Sequence, residues 1–305
     1  MLIRATVAAV TGAMALSAFV APAALAADGP KVPAGVAAAN KAAHFATSGK
    51  AAFSSAADTG TPYALDATFS NVKVNKGKNI VVGTTAIVKA PVSFTLTHGA
   101  DVDIHASDFV SAVELYRGAD FANEDEWIDS TNAKCTDTSA TAANCTATIE
   151  IDPAWLLNTD AGSWKAGAFA VAFNGEDPQN PNLDNVGVAT KDNVTTAKIQ
   201  RRSTLTVNAA PEPVKKGKTI TVTGKLSRAN WEDGHYHGYT NQPVKLQFRK
   251  KGSSTYTTLK TIKTNSTGNL KTTTKATVDG YFRYSFAGTT TTPAVSATGD
   301  FVDVK

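Results

Sequence analysis

Apolar residues at every second position constrain this chain more than any other feature. Ile220 and Val222 lie between Thr219, Thr221 and Thr223, and Val244, Leu246 and Phe248 are interleaved with Lys245, Gln247 and Arg249. Phe282, Tyr284 and Phe286 alternate in the same way with Tyr281, Arg283 and Ser285. Successive side chains of an extended strand point to opposite faces, so each run predicts a strand with one face buried and one in water. Nineteen of the 98 residues from 208 to 305 are Thr, a β-branched residue suited to the solvated side of a pleated sheet. The same period marks Val92, Phe94 and Leu96, then Ala147, Ile149 and Ile151, then Phe169, Val171 and Phe173 among alanines. Each of these is expected to be half-buried. Between Tyr256 and Ile262 the alternation slips, with Leu259 and Ile262 on opposite parity, which predicts a bulge or a break.

An internal repeat divides the strands into two sets. Val74 to Gly83, with Lys76-Gly77-Lys78 at its centre, is echoed 140 residues on by Val214 to Gly224, with Lys216-Gly217-Lys218. Both read as strand, turn, strand, and each follows another strand-like run, so two related β-domains begin near 66 and 204. Ala209 to Pro213, with two prolines, is the expected hinge region. Ahead of both domains, Arg4, the apolar and small-residue run Ala5 to Val20, Pro22 and Ala24-Leu25-Ala26 have the layout of an export signal cleaved after Ala26. The remaining 279 of the 305 residues suffice for two globular units. Residues 27–65 are rich in Ala, Ser and Gly and read as a flexible linker, with a short strand or helix around Ala37 to Phe45. No later segment approaches the ~20 apolar residues that spanning a bilayer requires. The expected plan is therefore a signal peptide (1–26), a linker (27–65), a larger β-sandwich with insertions (66–207) and a compact basic one (208–305).

Asp279-Gly280-Tyr281 to Gly288 follows a Thr-rich strand, Lys216-Gly217-Lys218 opens the domain, and Pro243 to Arg249 lies mid-domain. Together these resemble the bacterial immunoglobulin-like sandwiches of secreted actinobacterial proteins, and from about Asp66 to Lys305 the chain is similar to a group of exported two-domain proteins. The resemblance implies an all-β fold of two tandem immunoglobulin-like antiparallel sandwiches, about seven strands each, with aromatics after the Asp-Gly turn in the core. It implies no activity. Residues 98–195 depart from the pattern through long insertions, which leaves the strand order of the first domain open.

Cys135 and Cys145 are the only cysteines, separated by nine polar, turn-rich residues. One disulfide stapling a hairpin is the expected outcome and agrees with export; the spacing is too wide for redox or zinc motifs. Charge is divided unevenly: residues 66–207 carry 11 Lys and Arg against 18 Asp and Glu (−7), residues 208–305 carry 15 against 6 (+9). A basic exported domain suits an anionic cell-wall polymer or an extracellular protein partner, although lysines also solubilise exposed strands and guard sheet edges. Nucleic acid is not expected, because the basic residues are spread along strands.

Three features are candidates for function. Trp231, His235, Tyr236, His237 and Tyr239 lie in a loop between strands and bring aromatic faces beside polar groups, the chemistry of a ligand surface; the plainer reading has Trp231 and one tyrosine closing the sandwich core. His235 and His237 lack a defined third metal ligand. Asp177, Asn180, Asn182 and Asp184 place oxygens as a calcium loop might, without its central Gly or terminal Glu, so turn-forming residues account for them equally well. No nucleophile, zinc or phosphate-loop motif occurs, so the chain is read as non-enzymatic and free of cofactors. A secreted hydrolase with a carboxylate pair in the first domain, and a calcium-stabilised adhesion module, are the alternatives to an extracellular binding or structural role at the cell envelope.

Overall fold

The computed structural model describes residues 3–4, 34–48 and 60–305. The expected export signal lies outside the described residues except for Ile3–Arg4, which pair with Trp127 and Glu126. The chain divides into two compact units: the described parts of Met1–Lys78 with Lys89–Ile151 and Trp164–Ala197, and Asn79–Val88 with Asp152–Ser163 and Lys198–Lys305.

The first unit contains one helix, α1 (Ala34–Ser48), and all or most of strands β1 (Ala67–Val74), β2 (Val88–His98), β3 (Phe109–Gly118), β4 (Glu124–Asp129), β5 (Lys134–Ser139), β6 (Ala142–Ile151), β7 (Gly162–Ala172) and β8 (Gly187–Arg201). One sheet has the order β1-β2-β6-β5, and the other runs β4-β3-β7-β8 with short strands at both edges. In β2 and β6 burial alternates as the sequence predicts, with Val92, Phe94, Leu96, Cys145, Ile149 and Ile151 inside. The second sheet differs. Every residue of β3 from Phe109 to Tyr116 is buried, and β7 is buried from Ala166 to Val171. The reason is α1, a helix longer than the short strand or helix expected around Ala37 to Phe45 within the linker stretch. Its Val36, Ala39, Ala42 and Ala43 pack on Val110, Ala112, Tyr116, Phe169, Val171 and Phe173, while the alanines between those positions serve the opposite face. A strand covered on both sides reads as a nearly continuous apolar or small run, as β7 does and as β3 does apart from Glu114, so neither is half-buried. Alanine on the helix removes bulk and lets it lie close to the sheet.

The second unit consists of β9 (Asn208–Ala210), β10 (Thr219–Asn230), β11 (His235–Gly238), β12 (Pro243–Lys250), β13 (Thr257–Lys263), β14 (Asn269–Lys275), β15 (Gly280–Phe286) and β16 (Asp300–Val302), with shorter strands. One sheet is β9-β10-β14, to which β11 adds; the other is β13-β12-β15-β16. Ile220, Val222, Leu226 and Leu270 of the first sheet enclose a core with Val244, Leu246, Phe282, Tyr284 and Phe286 of the second. The order corresponds to strands A-B-E facing C′-C-F-G, the pairing of an immunoglobulin-like sandwich. The slip in β13 is a bulge: Leu246 faces Lys260 while Gln247 faces Thr258, so Leu259 is the extra residue, 43% exposed.

Gly280 at the Asp-Gly turn is fixed by contact. A Cβ there would stand 2.4 Å from the Phe248 ring and 2.5 Å from the Arg249 carbonyl. Gly280→Ala is expected to lower stability by about 1–3 kcal/mol, the range for overpacking a well-filled site. An unchanged urea midpoint would contradict this.

Both copies of the Lys-Gly repeat are a strand, a turn and a strand, but the strands after the turns pair differently. Gly77 and Gly217 both have positive φ, 74° and 79°. Beyond the first turn Ile80–Val82 pairs in parallel with Ile199–Arg201, whereas Ile220–Val222 lies in the antiparallel ladder between β9 and β14.

Candidate binding surface

In β12 and β15 the residues that alternate with the core point outward and meet across the ladder. Arg249 pairs with Tyr281 and Gln247 with Arg283, and on the next strand Tyr281 pairs with Phe301. The Arg249 guanidinium lies 4.1 Å from the Tyr281 ring centre. Arg283 lies 3.7 Å over the ring of Tyr256, which Arg249 also approaches at 5.3 Å. Tyr256 can cross the sheet face because position 299 is glycine; a Cβ there would be 2.2 Å from the Tyr256 hydroxyl. Phe301 tilts against Tyr281 at 5.2 Å and carries the Lys251 ammonium at 5.4 Å.

These guanidiniums are held rather than free to swing. Arg283 Nε donates to Gln247 Oε1 at 2.9 Å and Arg249 Nη1 donates to the Ser253 carbonyl. Neither arginine has an ion pair to a carboxylate among the described residues. A guanidinium has five N–H donors, so each retains several for another molecule. Adjacent, at the Asp279 turn, lies a shallow hollow of about 510 Å³ lined by Lys216, Lys250, Lys251 and Lys305 with Asp279. The Val304 backbone N–H, at 2.9 Å, together with Lys251 holds the Asp279 carboxyl below its usual range.

The loop singled out from sequence separates into two parts. Trp231 is buried, and its Nε1 donates to the Gly83 carbonyl at 2.9 Å. Tyr239 packs edge-on to Phe286 at 5.8 Å beneath Arg228 at 4.0 Å. His235, Tyr236 and His237 stand on β11, where His237 Nε2 lies 2.6 Å from Asp233 Oδ2. The five are thus not one surface. The signal for the outward row on β12 and β15 was present in the alternation of Tyr281 and Arg283, but which residue of β12 lies opposite each is a property of the fold.

Cys135 and Cys145 are cross-strand partners in the β5–β6 hairpin and form a disulfide. Of the calcium candidates, Asp177 accepts from the Gln179 backbone N–H at 3.0 Å and Asn182 from that of Asp184 at 3.3 Å. Asp184 Oδ1 accepts from the Thr61 backbone at 2.8 Å, and the Asn180 backbone N–H donates to the Asp177 carbonyl at 3.0 Å. The oxygens of Asp177 and Asn182 serve local turns, and that of Asp184 ties in the distant Thr61. Among the described residues no three or more His, Cys, Asp or Glu side chains are arranged so that they could hold a metal ion.

Sequence reading did not find a polar group beneath α1. Glu114 and Asp129 are direct cross-strand partners on the face that α1 covers, and Asn40 Nδ2 donates to both. One turn on, His44 Nε2 lies 3.3 Å from Glu114 Oε2 and its Nδ1 3.3 Å from Glu124 Oε2. The imidazole stacks on Phe121 at 4.3 Å. Burial works against the charged ring, but Glu114 and Glu124 outweigh it and push the His44 pKa up to about 10 from 6.5. Burial also raises Glu114, with His44 opposing it, and raises Asp129, with Asn40 and His44 among the groups opposing it. This is a facing carboxylate pair in the first unit, but both groups are buried.

No protein-family model matches the chain, and no curated protein does. Solved structures with similarity include the D00-D0 domain of intimin, at 15% identity over 77% of this chain and 99% of that one, TM-score 0.24. The mouse nectin-like molecule 4 ectodomain shares 12% identity over 79% of this chain and 65% of that one, TM-score 0.23. The Yersinia pseudotuberculosis adhesin InvE shares 14% over 77% of this chain and 58% of that one, TM-score 0.23. The immunoglobulin-like assignment rests on the strand pairing and core described above.

Proposed function

We propose that this chain is an exported, non-catalytic protein of two β-sandwich units that binds or bridges other molecules at the cell envelope. The observation that carries this reading is the outer face of β12 and β15, where Arg249 and Arg283 are fixed on aromatic rings with no ion-paired carboxylate. It lies in a segment, 208–305, whose net charge is +9. The Cys135–Cys145 disulfide suits an oxidising compartment outside the cytoplasm. The partner is a cell-wall polymer or an extracellular protein. The hydrolase alternative gains nothing from Glu114 and Asp129, which are buried beneath α1, and would have to rest on Asp66, Asp101, Asp103 and Asp108 around a hollow of about 390 Å³. The calcium-stabilised alternative has less support because Asp177, Asn182 and Asp184 already accept from backbone N–H groups and no group of three or more acidic or other ligating side chains is placed to hold a metal among the described residues.

The test is retention of residues 27–305 on purified cell-wall material at low and high salt, with calcium or with chelator. Retention at low salt that high salt removes is expected, since exposed charge pairing is screened over about 8 Å at physiological ionic strength. Loss on chelation would favour the calcium reading, and no retention under any condition would overturn the envelope role.

A further inference from the structure

We infer that the outer face of β12, β15 and β16 is a binding site for an acidic polysaccharide, with Arg249 and Arg283 gripping its carboxylates. The inference rests on the envelope-binding reading and narrows it to one surface and one ligand chemistry. Three observations on that face converge.

The first is preorganisation. Arg249 and Arg283 are diagonal neighbours across an antiparallel ladder, a relation that places their backbones roughly 7–8 Å apart. Two like charges so close repel each other, and no carboxylate ion-paired to either offsets this among the described residues. Tyr256 and Tyr281 supply ring faces for the guanidiniums, and Gln247 and the Ser253 carbonyl fix their orientation. Ordering these side chains in advance lowers the entropy lost when an anion arrives.

The second is geometry. A planar guanidinium presents parallel N–H donors that match a carboxylate in a two-point contact, which an ammonium cannot do. The third is the company the arginines keep. Phe301 and Tyr281 present half-buried aromatic surface in the same row, and Gln247 adds an amide. A sugar ring offers an apolar face for the aromatics and hydroxyls for the amide, and a uronic acid adds the carboxylate. A polyphosphate offers charge alone. The +9 of residues 208–305 complements such a polymer and steers it to the face.

The probe is polygalacturonate, with inorganic polyphosphate and neutral dextran beside it, binding to residues 27–305 at fixed ionic strength. The wild-type chain is expected to bind polygalacturonate and not dextran. R249Q/R283Q is expected to lose about tenfold or more in affinity, as removal of two charge-assisted contacts implies. K225Q/K271Q removes the same charge from the outward face of the other sheet and is expected to lose less than about twofold, the effect of net charge alone. R249K/R283K keeps the charge but not the fork, leaves the residues half-buried on the same rings, and is expected to lose affinity nearly as far as the glutamine pair. Thermal melts of each variant confirm folding. Equal losses in the two glutamine pairs, or full affinity in the lysine pair, would reduce the site to diffuse charge and overturn the proposal. Equal binding of polyphosphate with the same losses would overturn the glycan assignment. Concentration-dependent self-association abolished by R249Q/R283Q, without polygalacturonate binding, would mark the face as a contact between copies. Retention on cell wall without polygalacturonate binding would sink this inference and leave the envelope role standing. Retention on neither would sink both.

Discussion

Replacing His44 by alanine is expected to destabilise the first unit by about 3–5 kcal/mol at pH 6.5, the range for removing one partner from a buried ionic cluster. Glu114 is fully buried and His44 is its cationic neighbour at 3.3 Å. The loss should be fully present below about pH 6.5, where the raised His44 pKa contributes all of its stability, and shrink as pH rises towards 10. H44A/E114Q should recover part of the loss at pH 8, since the amide removes the charge. The wild-type chain carries its own signature. His44, Glu114 and Asp129 are all raised, so the folded unit holds more protons than the unfolded chain from the ordinary carboxylate range up to about pH 10. Stability therefore falls as pH rises through that window. Urea midpoints measured at pH 5, 6.5, 8 and 9 decide the matter: a wild-type profile that rises with pH, or an H44A loss that grows from pH 6.5 to pH 9, would show that the cluster is not charged as described.

In the second unit the largest effect is expected at Tyr284. It is fully buried between the sheets, and its hydroxyl donates to the Val222 carbonyl at 2.8 Å. Tyr284→Ala removes the ring and opens a cavity at a cost of about 3–5 kcal/mol. Tyr284→Phe keeps the ring and leaves that carbonyl without its side-chain donor, at about 1 kcal/mol. A separation of the two variants in chemical denaturation supports the packing account; equal losses would place the effect in the hydrogen bond. Gly224 belongs to the same contact, because a Cβ there would lie 2.8 Å from the Tyr284 ring.

Much of the second unit was legible in the residues. The alternation at 220–222, 244–248 and 282–286 named its core, and the parity slip located the bulge at Leu259. The binding face was half legible: that Arg249, Tyr281 and Arg283 point outward followed from period two, whereas their meeting across the ladder did not. Tyr256 could not be placed from sequence, because it reaches that face by crossing to Gly299, 43 positions on in the chain.

The first unit was less readable for a different reason. Alanine serves in a linker, on a helix face or inside a close-packed strand, so the runs at 37–43 and 166–172 carry little pattern of their own. Only docking decided that Ala39, Ala42 and Ala43 lie against Ala112, Phe169 and Val171. The same contact brought Asn40 and His44 onto Glu114 and Asp129, residues 70 to 89 positions distant.

The sequence by itself determined the strand class, the cysteine pair and the opposite charges of the two halves, because these follow from local periodicity and from counting. The tertiary structure alone decided strand partners, the burial of β3 and β7 on both faces, the polar cluster beneath α1 and the guanidinium row on β12 and β15. Each of those depends on which distant segments share a ladder or a face, and no local preference of the chain encodes that.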